Sequence, residues 1–298
     1  MPFRQKLHRL TLKGGGGSVV TKRSSLPLAP TVCLVLVVMC ALGAPLLAPY
    51  DAATVHVRDA LEPPSWLHSG SLRYTMGTDH LGRDVFSRLI YGARPSILVA
   101  LCAVALSGTL GTLLGLAAGY YGSNVDTLIM RLVDIWLSMP TILIAIALVA
   151  IIGAKLESVV FAYVMLNWVY YTRVIRAQTL VVKEAEFIHA AIAIGSRSGR
   201  ILGRHILPNV IGSMIVLATL DVGRAIIFES SLSFLGLGLQ PPNSSWGLML
   251  AEARQYLSIS WWLPAFPGLA ITATVLSANI VGDWLRDRYD PRRGMKIV

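Results

Sequence analysis

The hydrophobic and polar positions of this chain fall into long blocks. Crossing a lipid bilayer as a helix takes about 20 mostly apolar residues, and six stretches with few or no charged residues approach or exceed that length. The fourth is short, but Arg173 and Arg176 at its end can extend to the membrane interface. The six are 24–50, 95–125, 135–154, 158–172, the stretch after Pro208, and 255–282. The pattern predicts an all-α polytopic membrane protein with six transmembrane helices.

The composition agrees with a membrane location and suggests an orientation. Of 298 residues, 54% are hydrophobic and only 14% are charged, whereas soluble domains carry roughly 25% charged residues. The net charge of +10 does not point to nucleic acid here, because lysine and arginine collect in alternate polar segments, as they do in cytoplasmic loops. Both termini and the segment 173–204 belong to the richer set. We therefore expect them in the cytoplasm and the segment 50–94 outside.

The predicted organisation follows from these two patterns. It consists of a cytoplasmic tail (1–25), a first transmembrane helix (26–49), an extracytoplasmic loop (50–94), a five-helix core (95–285) and a cytoplasmic tail (286–298). A helix from about His80 to Gly92 would be amphipathic and would lie at the membrane interface. Its polar face would hold Asp79, Arg83, Asp84, Ser87 and Arg88. Such a helix either covers the end of the bundle or serves as a gate or docking surface.

The polar segment 174–208 is far longer than a connection between two helices needs. Acidic residues favour a helix start near Glu186, and Gly195 is expected to end that helix. Small side chains at Ala190, Ala191 and Ala193 would let another protein approach closely. The alternative is a helix that merely caps the bundle. A second, basic helical stretch then leads to Pro208, where the next span begins.

The same segment carries a resemblance. "HAAIAIG" at 189–195 followed by "HILPN" at 205–209 resembles a loop pattern of permease subunits of ATP-binding-cassette importers. That pattern is Glu-Ala-Ala, three residues, Gly, nine residues, a hydrophobic residue, any residue, then Leu-Pro. The stretches 76–94, 229–247 and 282–292 are similar to the C-type permease of dipeptide, oligopeptide and nickel importers. The likeness extends from about Tyr50 to Arg292.

The resemblance implies a type I importer-permease bundle in the bacterial cytoplasmic membrane. It implies four partners besides the lipid bilayer: a B-type permease subunit as heterodimer, two cytoplasmic ATPase subunits and an extracytoplasmic solute-binding protein. No nucleic-acid partner is expected. The short helix of the loop would be a coupling helix that docks on an ATPase subunit. The residues carried over or adjoining the pattern are Glu186, His189, Ala190, Ala191, Gly195, Leu207 and Pro208.

One departure from the pattern concerns a carboxylate. His189 stands where the family has Glu, and Glu186, one turn earlier, is a candidate substitute that could also pair with His189. The hydrophobic position before Leu-Pro is also replaced, by His205.

No enzyme chemistry is predicted for the chain itself. The sequence has no GxxxxGK[ST] phosphate loop, so ATP hydrolysis would belong to a partner, and we expect no catalytic residue, cofactor or metal. Asp221 and Arg224 are spaced for a mutual pair within the fifth span, and Glu229 follows near its end. Charges inside a span are costly unless they are paired or face water. The three residues are thus candidates for a translocation path, with a purely structural pair as the alternative.

Two other functions remain open from the residues alone. A proton-coupled transporter would use Asp221 and Glu229 as its relay, but it would not need the segment 174–208. An intramembrane hydrolase would need a motif that is missing, since the sequence has no HExxH and Arg197 occupies the nucleophile position of "GSRSG". The solute is not chosen by the sequence: a dipeptide, a longer peptide, a glutathione-like compound and a nickel complex all remain.

Overall fold

The structure, a computed structural model, describes residues 26–67 and 70–289, with the backbone alone at Tyr289. The predicted tail 1–25 and the end of the other tail, 290–298, lie outside the described residues. The described part is built from helices, which confirms the predicted all-α class. They are α1 (Leu28–Leu47), α2 (Val85–Tyr121), α3 (Ser123–Leu137), α4 (Thr141–Ile152), α5 (Leu156–Lys183), α6 (Glu186–Ala193), α7 (Ser198–Ile201), α8 (Leu207–Phe234), α9 (Trp246–Ala253) and α10 (Trp262–Tyr289).

Length and apolar composition identify the membrane spans. Among the described residues four helical rods are long and apolar enough to cross a membrane: α1, α2, α10, and the rod that joins α7 to α8. The pair α3 and α4 makes a fifth span if its 90° bend is a break within one crossing. The helix α5 is 28 residues long but is richer in polar residues. By length and composition, the described residues therefore contain four spans, or five with the bent pair, and the predicted count of six is not confirmed.

The helices α2 and α5 form the most extensive helix–helix contact among the described residues. Gly111, Gly115 and Gly119 lie one turn apart on the α2 face that meets α5. A methyl group on Gly115 would come within 2.8 Å of the carbonyl oxygen of Thr172, and one on Gly119 within 2.6 Å of Thr179 Cβ. Small residues at four-residue spacing let two backbones approach this closely. We call this contact the glycine seam.

The helix predicted for 80–92 is wrong at both ends. α2 begins at Val85, where the Asp84 side chain accepts the Ser87 N–H at 2.8 Å and caps the first turn. It then continues without a break through Gly92 and Pro95. A Cβ on Gly92 would lie 3.2 Å from Trp246 Cδ1. The glycine is therefore explained by close packing against α9 and not by a helix end.

The bundle has two distinct ends. α1 finishes and α2, α9 and α10 begin around the segment 48–84, which we call the loop end. α2 and α5 finish at the opposite end, where Lys183 Nζ donates to the carbonyl oxygen of Tyr120 at 2.8 Å, and α6 follows directly. We call this the α6 end. The rod that leads back from the α6 end contains a π-helical turn, Leu202–Ile206, just before Pro208. Proline has no N–H to donate and its ring crowds the preceding turn, which accounts for the local widening.

Candidate functional site

The short helix α6 is fixed to the bundle by one face. Ile188 is fully buried and Ala191 is buried beside it, in a cluster that also contains Ile175, Ile201 and Ile206. These partners come from α5, α7 and the π-helical turn, so the helix is held by the two rods between which it lies. The prediction that Ala190, Ala191 and Ala193 form one approachable face is wrong at Ala191, which packs inward while the other two are exposed.

The opposite face of α6 is exposed and more apolar than the sequence analysis expected. Phe187 is 48% exposed, Ile192 is 48% exposed, and Ile194 just after the helix is 83% exposed. Ala190 and Ala193 lie between them and are exposed as well. The described chain thus presents bulky and small apolar residues on this surface, where Glu186 and His189 are exposed as well. We call it the α6 face.

Gly195 ends α6, as predicted, and the geometry shows why glycine stands there. Its φ is +78°, in the left-handed region that residues with a side chain seldom adopt. The Gly195 N–H donates to the carbonyl oxygen of Ile192 at 2.9 Å, and the Ser196 N–H donates to that of Ala191 at 3.0 Å. These two bonds make a Schellman motif, which satisfies carbonyls at the helix end. Open space surrounds the glycine, so only its backbone conformation demands this residue.

The histidines of this segment have partners that the sequence did not predict. His189 Nε2 lies 3.9 Å from Glu184 Oε2, with both side chains exposed; the expected pair with Glu186 is not the one formed. The His205 ring lies 6.4 Å from the Phe187 ring, centroid to centroid. His205 thus replaces a hydrophobic residue with an aromatic ring that still packs against α6. Leu207 and Pro208 begin α8 directly after it.

The three charged residues of α8 fall into different environments. Asp221 is only 3% exposed, and its carboxylate accepts the Tyr171 hydroxyl at 2.9 Å. Its other oxygen lies 3.5 Å from Arg224 Nε, so the predicted Asp221–Arg224 pair is confirmed. The Arg224 side chain, however, is 55% exposed. One member of the pair is therefore part of the interior and the other is presented to the surroundings.

Glu229 is enclosed by hydroxyl groups. It is 1% exposed and accepts hydrogen bonds from Ser96 at 3.1 Å, Ser233 at 2.8 Å and Ser230 at 3.4 Å. Among the described residues no cation pairs with it. Because Ser96 belongs to α2, this carboxylate joins α2 to α8 and does not line an open path in this conformation.

A second ionic cluster, which sequence reasoning missed, lies at the loop end. Asp79 is in contact with Arg83 (Nε–Oδ2 2.6 Å) and with Arg88, and both guanidinium groups reach Glu252 at the end of α9, at 3.0 Å and 2.7 Å. Asp79, Arg83 and Arg88 are each 3% exposed or less. These residues were expected on the polar, solvent-facing side of an interfacial helix. They are instead buried, because the acid that completes their charge balance comes from α9. We call them the loop-end network.

The electrostatics of the loop-end network favour its ionised form. Burial alone would raise the pKa of the Asp79 carboxyl, but Arg88 and Arg83 outweigh it and hold that pKa below its ordinary value. Asp84, by contrast, has no cation partner in the described chain, and burial raises its pKa despite its bonds to Ser87.

The same place brings three possible metal ligands together. One ligand atom each from Asp79, His80 and Glu252 lie within 4.8 Å of one another. Both carboxylates are already in contact with Arg83 and Arg88, which would repel a cation. The donor set is therefore that of an ion-pair network, and we assign no metal to it.

Comparison with known proteins identifies the family. The model of the family described as "Binding-protein-dependent transport system inner membrane component" matches residues 111–295, which is more than half of the chain. The chain belongs to this family. It is a permease subunit of an ATP-binding-cassette importer, and the match includes the glycine seam, the segment with α6, and all of α8 and α10.

Curated relatives support the assignment along most of the permease. It is 44% identical to the di/tripeptide transport system permease protein DppC of Pseudomonas aeruginosa (strain UCBPP-PA14) over 259 residues, which cover 87% of this chain and 86% of that one. It is 42% identical to the dipeptide transport system permease protein DppC of Alkalihalophilus pseudofirmus, with 91% and 87% covered. The glutathione transport system permease protein GsiD of Pectobacterium atrosepticum is 41% identical, with 91% and 88% covered.

Solved structures support the fold. The permease superposes on a chain of the MetNI methionine ABC transporter in an inward-facing conformation with a TM-score of 0.55. The superposition covers 68% of this chain and 97% of that chain, at 15% identity. At that identity the likeness concerns the fold alone, and it confirms the predicted importer-permease bundle.

Proposed function

We propose that this permease imports short peptides across the bacterial cytoplasmic membrane as one half of a heterodimer with a B-type permease. Two ATPase subunits supply the energy, and an extracytoplasmic binding protein delivers the peptide. The relatives described above carry dipeptide, di/tripeptide and glutathione in their names, and all of these are small peptidic compounds. Nickel is not favoured, since two of the three possible ligands at the loop end, Asp79 and Glu252, are already paired with arginines.

The α6 face is the observation that carries the energy-coupling part of this proposal. A helix with one face buried between two rods and the other exposed and apolar is suited to receive a partner in a groove. The exposed residues Glu186, Phe187, His189, Ala190 and Ile192 are the proposed contacts with an ATPase subunit. Gly195, Leu207 and Pro208 fix the path by which α6 enters α8.

The orientation is part of the same proposal. The α6 end would be cytoplasmic, together with both termini, because the segment 173–204 is rich in arginine and lysine. The loop end would then face the binding protein. We also propose α5 as a sixth span: it packs along α2 through the glycine seam and begins and ends at opposite ends of the bundle.

Reconstitution tests the proposal as a whole. The chain would be co-expressed with the B-type permease, the ATPase subunits and the binding protein proposed as its partners. The purified complex would be placed in proteoliposomes, and the uptake of radiolabelled dialanine would be measured. We expect uptake that requires both ATP and the binding protein. Uptake by this chain alone, driven by a proton gradient, would replace the proposal with a secondary transporter.

A further inference from the structure

Arg224 is an unusual residue for a helix that crosses a membrane. It lies ten residues before the end of α8 at Phe234, which places it roughly 15 Å along the helix from that end. This depth is near the middle of a hydrocarbon core about 30 Å thick. Its side chain is 55% exposed in the single chain. An exposed guanidinium at this depth cannot face lipid tails without a large cost, so its side of α8 faces water or another subunit.

A buried carboxylate on the interior side of α8 holds this arginine in place. α8 packs against α10, α2 and α5, and the buried Asp221 receives Arg224 Nε on one carboxylate oxygen and the Tyr171 hydroxyl on the other. Asp221 is thus a positioning residue for Arg224. Ile227, one turn further along the same side, is 49% exposed, so the exposed side of α8 is otherwise apolar at this level.

The free side of the guanidinium defines a ligand chemistry. Within the described residues the two terminal nitrogens of Arg224 have no hydrogen-bond or ion-pair partner, since its one contact there is through Nε. A guanidinium presents donors in a planar fork that matches a carboxylate. Asp221 already offsets part of its charge, which would keep the attraction weak enough for a ligand to leave again.

We propose that Arg224 binds the C-terminal carboxylate of a peptide while the peptide passes through the permease. The inference rests on the proposed function, because it requires a peptide in the path. Of the three charged residues of α8, only Arg224 would then touch the solute. Asp221 would position Arg224, and Glu229 lies in the bundle interior.

A charge-restoration experiment tests this in the assembled transporter. Arg224→Cys would be made in a permease in which Cys33, Cys40 and Cys102 are replaced by alanine, and the complex reconstituted with its partners. We expect ATP-driven uptake of dialanine to fall about tenfold or more, since a hydrogen bond to a charged group has been removed. Modification by the positively charged aminoethyl methanethiosulfonate should restore most of the uptake. The negatively charged sulfonatoethyl reagent should not.

Solute protection and a matched control complete the test. Saturating dialanine should slow modification of the introduced thiol several-fold. Ile227→Cys lies on the same side of α8 and should retain uptake with either reagent. Unchanged uptake in Arg224→Cys, equal effects of both reagents, or modification that dialanine does not slow would overturn the proposal. A thiol that no reagent modifies while uptake is lost would also overturn it, and would place Arg224 against the partner permease instead. If the starting complex itself takes up no dialanine with ATP, it is the proposed function that fails.

Discussion

The two ends of this permease place their charged and apolar residues in opposite ways. At the loop end, three buried charged side chains and the partly buried Glu252 neutralise one another across α2, α9 and the segment between α1 and α2. At the α6 end, bulky apolar side chains remain exposed. Charges that face inward and hydrophobic groups that face outward both reverse the usual arrangement. The charges at the loop end are compensated within the chain. The apolar residues at the α6 end need a partner outside the chain to cover them.

This contrast separates residues that maintain the fold from residues that are available for contact. Removing a member of the loop-end network should therefore act on stability, and changing the α6 face should act on transport. The predictions below sharpen that division, from the largest expected effect to the smallest.

Arg88→Ala should be the most damaging substitution at the loop end. It would leave the buried Asp79 and the partly buried Glu252 with only Arg83 to compensate them, a loss that costs about 3–5 kcal/mol in comparable buried ion pairs. The measurement is the midpoint of thermal unfolding of the purified complex in detergent. Arg73→Ala is the matched control, because its ion pair with Asp59 is solvent-exposed and should change the midpoint little. Equal effects of the two substitutions would contradict the assignment of a buried network.

Glutamate at Ala191 and at Ala190 should have different consequences, although the two positions are neighbours. Ala191→Glu would bury an unpaired carboxylate in the apolar cluster around Ile188, and a loss of about 3 kcal/mol of stability is expected. Ala190→Glu would leave stability within about 0.5 kcal/mol, but the charge on the α6 face should block docking of the ATPase and abolish ATP-driven uptake. Thermal unfolding and dialanine uptake, measured on both variants, check this. Normal uptake with Ala190→Glu would remove the α6 face as a docking site.

Gly195→Ala should destabilise the fold less than Arg88→Ala or Ala191→Glu. A side chain in the left-handed region costs about 1–2 kcal/mol, and the open space around Gly195 adds no clash. Gly195→Asn should cost less, because asparagine tolerates this conformation better. Unfolding midpoints that fall from Gly to Asn to Ala at position 195 would support the role of the left-handed conformation. Identical midpoints would show that the Schellman motif contributes little.

The sequence predicted those features that depend on local pattern. Long stretches with few or no charges located α1, α2, α8 and α10, and the three-residue spacing of Asp221 and Arg224 predicted their pair. The end of α6 at Gly195 followed from the residue type. Ala190 and Ala191 could not be separated from sequence alone, since which of two adjacent residues packs inward depends on the rods that flank the helix.

The features that sequence reasoning missed depend on contacts between distant segments. Glu252 lies 169 residues from Arg83, and nothing in one sequence indicates that these two will meet. Because Glu252 was not recognised as their partner, the pattern placed Asp79, Arg83 and Arg88 on the solvent-facing side of an amphipathic helix. The glycine seam did leave a visible signal, since Gly111, Gly115 and Gly119 stand four residues apart in the manner of small-residue helix contacts.

The glycine seam also has a mechanical consequence for the whole molecule. α2 starts in the loop-end network, α5 finishes just before α6 begins, and the seam locks these helices together with almost no room to slide. We therefore expect the two helices to move together as one body that connects the α6 end with the loop end. A displacement imposed at the α6 end would then be carried along both helices to the loop end.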